Sequence, residues 1–361
     1  MGRVFNFSPG PSCLPLSVLE RAGREISDYN GSGMSVMEMS HRTPIYEAII
    51  GEAEALLREL MPVPANYKVL FMHGGATLQF AGVPMMLMNG SGKADYVISG
   101  MFSQKAFDEA KKYGDAVAIA SSKDRNFSYI PSFTHSDIRP DADYVHICYN
   151  NTIFGTCFKG IPDTGSVPLV ADMSSCILSM PYDVTKFGLM YAGAQKNAGT
   201  SGTCIVIVRD DLINKARTYT PELMNYKTQA ANDSMLNTPS CYSVYISMLV
   251  FRWLRDEIGG LANMEKINRE KAAVLYDFLD NSTFYKPHAE KEFRSLMNVT
   301  FVMKDEDMSV KFAKEAAAAG LVNTKGHRSV GGIRINLYNA MPIEGAKAMV
   351  EFMKKFEMDN R

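Results

Sequence analysis

Between residues 68 and 208 the chain repeats one pattern. A short apolar run is followed by a glycine-rich or polar turn and then by a stretch at helical spacing. Lys68 to Met72, Ala94 to Ile98, Ala116 to Ala120, Tyr144 to Tyr149, Val167 to Asp172 and Cys204 to Val208 read as strands. Leu78 to Met88, with Pro84 inside it, and Ser103 to Tyr113 read as helices, and Gly100-Met101-Phe102 as a turn. Strands alternating with helices predict an α/β fold, a mostly parallel central sheet flanked by helices on both faces. Ligands of such sheets sit outside the carboxyl ends of the strands. His73 to Thr77, Met101-Phe102, Asn151-Thr152, Asp172 and Lys196 all fall at or just after strand ends.

Two of these groups carry chemistry. Lys196 stands alone among small uncharged residues in Tyr191-Ala192-Gly193-Ala194-Gln195-Lys196-Asn197-Ala198-Gly199. A desolvated lysine is a better nucleophile and forms Schiff bases with aldehydes. Asp172 closes an apolar strand upstream. An acid at a strand's carboxyl end and a lysine in a following loop are two parts of a pyridoxal phosphate site. On local pattern alone, a surface lysine in a Gly-rich turn stays open. Strand, Gly74-Gly75, then helix is the local design that turns free backbone N–H groups toward a phosphate. It lacks the Gly-Lys-Ser/Thr ending of a P-loop and the spacing of a dinucleotide turn. A turn that merely needs glycine remains the alternative.

The rest of the chain bounds the reading. Its 361 residues suggest two domains. A net charge of -1 argues against a polyanion-binding surface, so no nucleic-acid partner is expected. Six scattered cysteines show no CxxC pair and no zinc spacing, so no metal is expected and buried free thiols in a reducing compartment are. The start lacks a long apolar core, and no run approaches a membrane span, which places the chain in the cytoplasm by expectation, with no membrane partner. Leu16 to Tyr29 reads as a helix with Leu19, Ala22 and Ile26 on its apolar face, and Ile45 to Leu60 as a stronger one. A long helix from Leu261 leads into a smaller α+β unit. The expected division is 16–260 for the large domain and 261–361, with the segment 1–15, for the small one.

Five blocks then match a known family: Asn6-Phe7-Ser8-Pro9-Gly10-Pro11, Gly33-Met34-Ser35-Val36-Met37-Glu38-Met39-Ser40-His41-Arg42, His73-Gly74-Gly75-Ala76, Lys325-Gly326-His327-Arg328-Ser329-Val330-Gly331-Gly332 and Tyr338-Asn339-Ala340-Met341-Pro342. With these the chain resembles the phosphoserine aminotransferases from about residue 6 to 356. The resemblance implies a fold-type I pyridoxal phosphate enzyme, a homodimer with shared sites. It implies amino transfer from L-glutamate to 3-phosphohydroxypyruvate, giving O-phospho-L-serine and 2-oxoglutarate, and in bacteria often the related step of pyridoxine synthesis.

By the same resemblance Lys196 would hold the cofactor aldehyde and shuttle a proton, and Asp172 would pair with the pyridine nitrogen. Phe102 would stack on the ring, where the family more usually has tryptophan. Ala76, Thr77 and Gln195 would donate to the cofactor phosphate, and Thr152 would contact the 3-hydroxyl side. Asn237 and Thr238 would reach the phosphate from the partner subunit. Arg334 matches the carboxylate-binding arginine. His41 and Arg42 of one subunit, with His327 and Arg328 of the other, would hold the substrate phosphate. His73, His135, His146 and His288 read as structural. Three other readings compete. Another fold-type I aminotransferase, such as an alanine–glyoxylate enzyme, would not need four cationic residues. A cysteine desulfurase would need a late mobile cysteine, and none follows Cys241. A non-catalytic binding protein would not need both Asp172 and Lys196.

Overall fold

The computed structural model describes residues 2–361. Seven strands form the main sheet. In spatial order they are Tyr67–His73, Thr203–Arg209, Leu189–Gly193, Leu169–Asp172, Tyr144–Cys148, Lys93–Ile98 and Asp115–Ser121. Six run in one direction, and Thr203–Arg209 runs antiparallel to both its neighbours. Leu189–Gly193 is a strand that the sequence pattern leaves as a link. Leu-Met-Tyr-Ala-Gly holds no β-branched residue, so its extended state comes from pairing on both sides.

Successive side chains point to opposite faces of the sheet. Val145, Ile147, Leu169, Ala171, Met190, Ala192, Ile205 and Ile207 face a core shared with the helices Pro44–Leu60 and Cys241–Asp256. Tyr96, Tyr144, Val170, Tyr191, Val206 and Val208 face a second core with residues of the helix Gly75–Leu87. Burial on both faces is the reason these strands carry unbroken apolar runs. Asp115–Ser121 has one neighbour only and is mostly exposed, as an edge strand can be.

Several boundaries differ from the sequence reading. The first helix is Leu16–Arg24 and buries Val18 and Ala22, while Leu19 is half out and Ile26 lies beyond the helix. The helix after Gly74 starts at Gly75, three residues before Leu78, and carries Pro84 within it. Met101 and Phe102, read as a turn, open the helix Met101–Ala110, because Ser103 accepts from the N–H groups of Ser99 and Gly100 and fixes the entry.

A third core gathers Phe7, Leu275, Leu279, Phe301, Ile333, Ile335, Met349, Met353 and Phe356. It covers one face of a three-stranded antiparallel sheet, Lys286–Pro287, Asn298–Val302 and Ile333–Asn336. The N-terminal segment joins this unit, since Phe5–Asn6 pairs with Leu321–Val322. The helix Leu261–Asn281 spans both units, giving Leu261 and Met264 to the first core and Leu275 and Leu279 to the third. Its fully buried Lys271 donates to the carbonyls of Leu337, Tyr338 and Asn339, one acceptor for each ammonium hydrogen.

His146 is buried beneath the main sheet's carboxyl edge. Its Nε2 meets the Tyr191 hydroxyl at 2.9 Å and its ring stacks on Tyr96. Burial pushes its pKa from 6.5 down to about 3. The native state therefore resists a proton that the unfolded chain accepts, and stability falls as pH drops from 6.5 toward 3. His146→Gln, which keeps a hydrogen-bonding side chain without a titrating ring, is expected to flatten thermal midpoint against pH in that window. All six cysteines are free. No helix among the described residues is long and apolar enough to cross a membrane.

Candidate active site

A cavity of about 670 Å³ opens at the carboxyl edge of the main sheet, between it and the small sheet. Asp172 ends its strand there, flanked in register by Cys148 and Tyr191. Its carboxylate is buried, and the Ser174 N–H donates to Oδ1 at 2.9 Å. Burial raises its pKa above the ordinary value, against the opposing hydrogen bonds of Ser174 and the charge of Lys196. A raised pKa signals a carboxylate whose surroundings within the chain leave its charge incompletely compensated.

Lys196 lies in the connection between the antiparallel strands Leu189–Gly193 and Thr203–Arg209. Its Nζ donates to Thr152 Oγ1 at 2.7 Å and lies 5.6 Å from the centroid of the Phe102 ring. The entry loop packs against it from the other side. Ser12 donates through its hydroxyl to the Lys196 carbonyl at 2.5 Å and through its N–H to the Gln195 carbonyl. Gly10 has φ of +134°, and a Cβ there would stand 3.3 Å from Lys196 Cγ. Gly10→Ala is expected to cost about 1–2 kcal/mol of stability and to lower kcat by displacing the amine, read together by calorimetry and steady-state rates.

Gly74 and Gly75 take φ of +83° and +62°, which turns the chain sharply from the strand Tyr67–His73 into the helix Gly75–Leu87. The first N–H groups of that helix, with Ala76 and Thr77 in its opening turn, line the cavity. They have no partners within the helix and lie at the positive end of its dipole. No acidic residue occupies that turn. Gln195 lines the cavity as well.

On the side of the small sheet stands Arg334, 6% exposed. Its Nη1 donates to the Thr152 carbonyl at 3.2 Å, and its Nε has no partner. Burial pushes its pKa below the usual guanidinium range, and no carboxylate among the described residues offsets that. His327 and Arg328 share this rim. Burial, then the charges of Arg334, Arg328 and Lys105, depress the His327 pKa, so the imidazole is neutral near pH 7. Among the described residues no group of three or more His, Cys, Asp or Glu could hold a metal ion.

Ten of the fourteen expected site residues thus line one cavity: Ala76, Thr77, Phe102, Thr152, Asp172, Gln195, Lys196, His327, Arg328 and Arg334. His41, Arg42, Asn237 and Thr238 do not line it within this chain. They precede the helices Pro44–Leu60 and Cys241–Asp256, which pack side by side in the same direction: Tyr46 meets Cys241 at one end, Glu52 pairs with Arg252, and Glu59 with Arg255 further along. Both loops therefore leave from the same end of that helix pair. The sequence reading passed over Gly10, Lys105, Cys148, Asn150, Ser174 and Ser175, all lining the cavity. Ser174-Ser175, one residue beyond Asp172 at a strand's carboxyl end, was a usable signal, and so was the glycine caught between Pro9 and Pro11.

Residues 4–349 match the family described as Aminotransferase class-V. A phosphoserine aminotransferase of Listeria monocytogenes is 53% identical over 358 residues, 99% of this chain and 97% of that one. The solved phosphoserine aminotransferase from Bacillus circulans subsp. alkalophilus superposes with a TM-score of 0.96 at 45% identity, covering 99% of each chain. A PLP-bound phosphoserine aminotransferase from Trichomonas vaginalis superposes with a TM-score of 0.93 at 37% identity, covering 98% of this chain and 100% of that one. With the acid, the amine and the glycine-led helix start lining one cavity, and similarity running the length of the chain, the protein belongs to the class-V aminotransferases, in the phosphoserine aminotransferase family.

Proposed function

We propose that this protein binds pyridoxal 5'-phosphate and moves an amino group from L-glutamate to 3-phosphohydroxypyruvate, giving O-phospho-L-serine and 2-oxoglutarate. The observation that carries this is the charge set of the cavity. It holds one buried carboxylate with a raised pKa, a lysine amine bonded to a hydroxyl, and a buried guanidinium without a carboxylate. The cofactor fits those groups. A protonated pyridine nitrogen would neutralise Asp172, its phosphate would take the free N–H groups at Ala76 and Thr77, and its aldehyde would meet Lys196. Phe102 would offer a stacking face smaller than a tryptophan's.

When bound, the cofactor supplies an aldehyde for amines and a sink for the electron pair left when the Cα–H bond breaks. The chain's own residues do the rest. Lys196 Nζ, held in place by Thr152 Oγ1, would carry the proton from the substrate Cα to the carbon that bore the cofactor's aldehyde. Asp172 keeps the proton on the pyridine nitrogen, which a buried anion favours strongly. Arg334 fixes the substrate α-carboxylate and so orients the Cα–H bond. His327 and Arg328 hold the phosphate end.

We also infer a homodimer, in which His41, Arg42, Asn237 and Thr238 of a second copy complete the cavity. Their emergence from one end of a parallel helix pair supports this, as do the exposed apolar Met34, Met37 and Ile45 in the same segment. Arg42→Ala and Arg328→Ala are each expected to raise KM for the phosphorylated substrate by roughly 10- to 100-fold, about 1.5–3 kcal/mol of charge-assisted bonding. Unchanged KM values would make them solvated surface cations.

The test is a substrate panel on protein incubated with pyridoxal phosphate, following the cofactor's absorbance as amine is transferred. Phosphoserine and glutamate should convert it, and serine and alanine should do so far more slowly. Equal conversion by alanine would favour an enzyme for uncharged amino acids instead.

A further inference from the structure

The polar face of the small sheet is built to hold the segment 150–153. Asn298 and Thr300 stand in register opposite Asn336 and Arg334 in an antiparallel pair, so the four side chains share one face. The other face, Val299, Phe301, Ile333 and Ile335, belongs to the small-domain core. All four polar residues are buried, between 0 and 6% exposed, a costly arrangement unless each is bonded.

They are bonded chiefly to the active-site wall. Asn298 Oδ1 accepts from Asn150 Nδ2 at 2.7 Å, Thr300 Oγ1 donates to the Ile153 carbonyl at 3.2 Å, and Arg334 Nη1 donates to the Thr152 carbonyl at 3.2 Å. Asn298 Nδ2 donates to Asn336 Oδ1 at 2.7 Å, and Asn336 Nδ2 in turn to the Phe7 carbonyl. On the far side, Asn150 Nδ2 also donates to Ser175 Oγ at 2.7 Å, and Ser295 Oγ donates to Asn150 Oδ1. Gly155 lets the two parts approach, since a Cβ there would stand 2.8 Å from the Asn298 carbonyl. Three side chains on one face of the small sheet, from two neighbouring strands, thus grip three residues of one short segment. That segment presents Thr152 with two jobs at once: its hydroxyl accepts from Lys196, and its carbonyl accepts from Arg334.

We propose that Asn298 and Thr300 are positioning residues for substrate-carboxylate recognition. They hold residues 150–153 at the height where the Thr152 carbonyl fixes the Arg334 guanidinium, while their own atoms stay off the substrate. The Arg334 side chain makes no other hydrogen bond among the described residues, so a slack segment would let the guanidinium rotate and lose its bidentate aim. This rests on the reading of Arg334 as the carboxylate site.

The test uses Thr300→Val, close to isosteric and lacking only the donor, with Thr300→Ser as rescue and Asn298→Ala as the harsher variant. Each is loaded with pyridoxal phosphate, and the dissociation constant of glutarate, a dicarboxylate without an amine to transfer, is measured by calorimetry beside steady-state kinetics and the thermal midpoint. Thr300→Val should weaken glutarate binding and raise KM for both glutamate and phosphoserine about fivefold, with kcat within about twofold of wild type. Thr300→Ser should restore both. A folded Thr300→Val protein with wild-type glutarate affinity would overturn the proposal, as would a fall in kcat and midpoint with KM unmoved. Should Asn298→Ala not fold, Thr300→Val decides alone. Wild-type protein that converts phosphoserine but binds no glutarate would overturn the carboxylate role of Arg334, and this proposal with it. Failure to convert phosphoserine while glutarate still binds would strike only at the substrate assignment.

Discussion

Lys196→Ala is expected to lower kcat by roughly 10³- to 10⁴-fold, the scale of a lost nucleophile and general base. The reason is local. Lys105 also lines the cavity, from the second turn of the helix Met101–Ala110, but the amine bonded to Thr152 Oγ1 is that of Lys196. The variant should still fold, because the Lys196 side chain makes one hydrogen bond, to Thr152, while Ser12 holds the backbone of the loop. Two readings check it. The absorbance band of lysine-bound cofactor should vanish, and the thermal midpoint should stay close to wild type. A variant retaining more than about a tenth of the rate would mean that another group moves the proton.

Arg334→Met is expected to separate binding from stability. The substituted side chain keeps much of the arginine's apolar length and loses the charge. KM for both amino-acid substrates should rise about 10- to 100-fold, with kcat less affected. The ligand-free protein should gain about 1–3 kcal/mol, seen as a higher thermal midpoint. Both effects follow from one fact: a guanidinium 6% exposed, with its Nε unpartnered and no carboxylate against it, is held at a cost until an anion arrives. The bond lost at the Thr152 carbonyl offsets part of the gain. A lower midpoint in the variant would mean that Arg334 is a packed structural residue.

The two variants probe opposite walls of the cavity, and the walls differ in how plainly they are written in the chain. The Asp172 and Lys196 wall is short-range in character. Asp172 closes an apolar run, and Lys196 stands among small residues just ahead of another, Cys204 to Val208. The turn proposed to hold the cofactor phosphate is equally local, since two adjacent glycines at positive φ start one helix. Arg334 was matched by family resemblance, while nothing in Ile333-Arg334-Ile335-Asn336 announces that its polar side faces the cavity. The segment alternates like any half-buried strand, and a solvated outer face is the ordinary expectation for such a pattern.

Alternation of strand and helix, the lysine among small residues ahead of the apolar run Cys204 to Val208, the acid upstream and the glycine pair were set by residues within a few positions of one another. Periodicity and turn chemistry are local quantities, so the sequence by itself carried them. Three things came only with the tertiary structure. The strand Leu189–Gly193 exists because neighbours on both sides pair with it. Gly10 stands against Lys196 because the entry loop folds back across 186 positions. Asn298, Thr300 and Arg334 grip residues 150–153 from 147 to 182 positions away, and a buried hydrogen bond between such distant groups leaves no period in either segment.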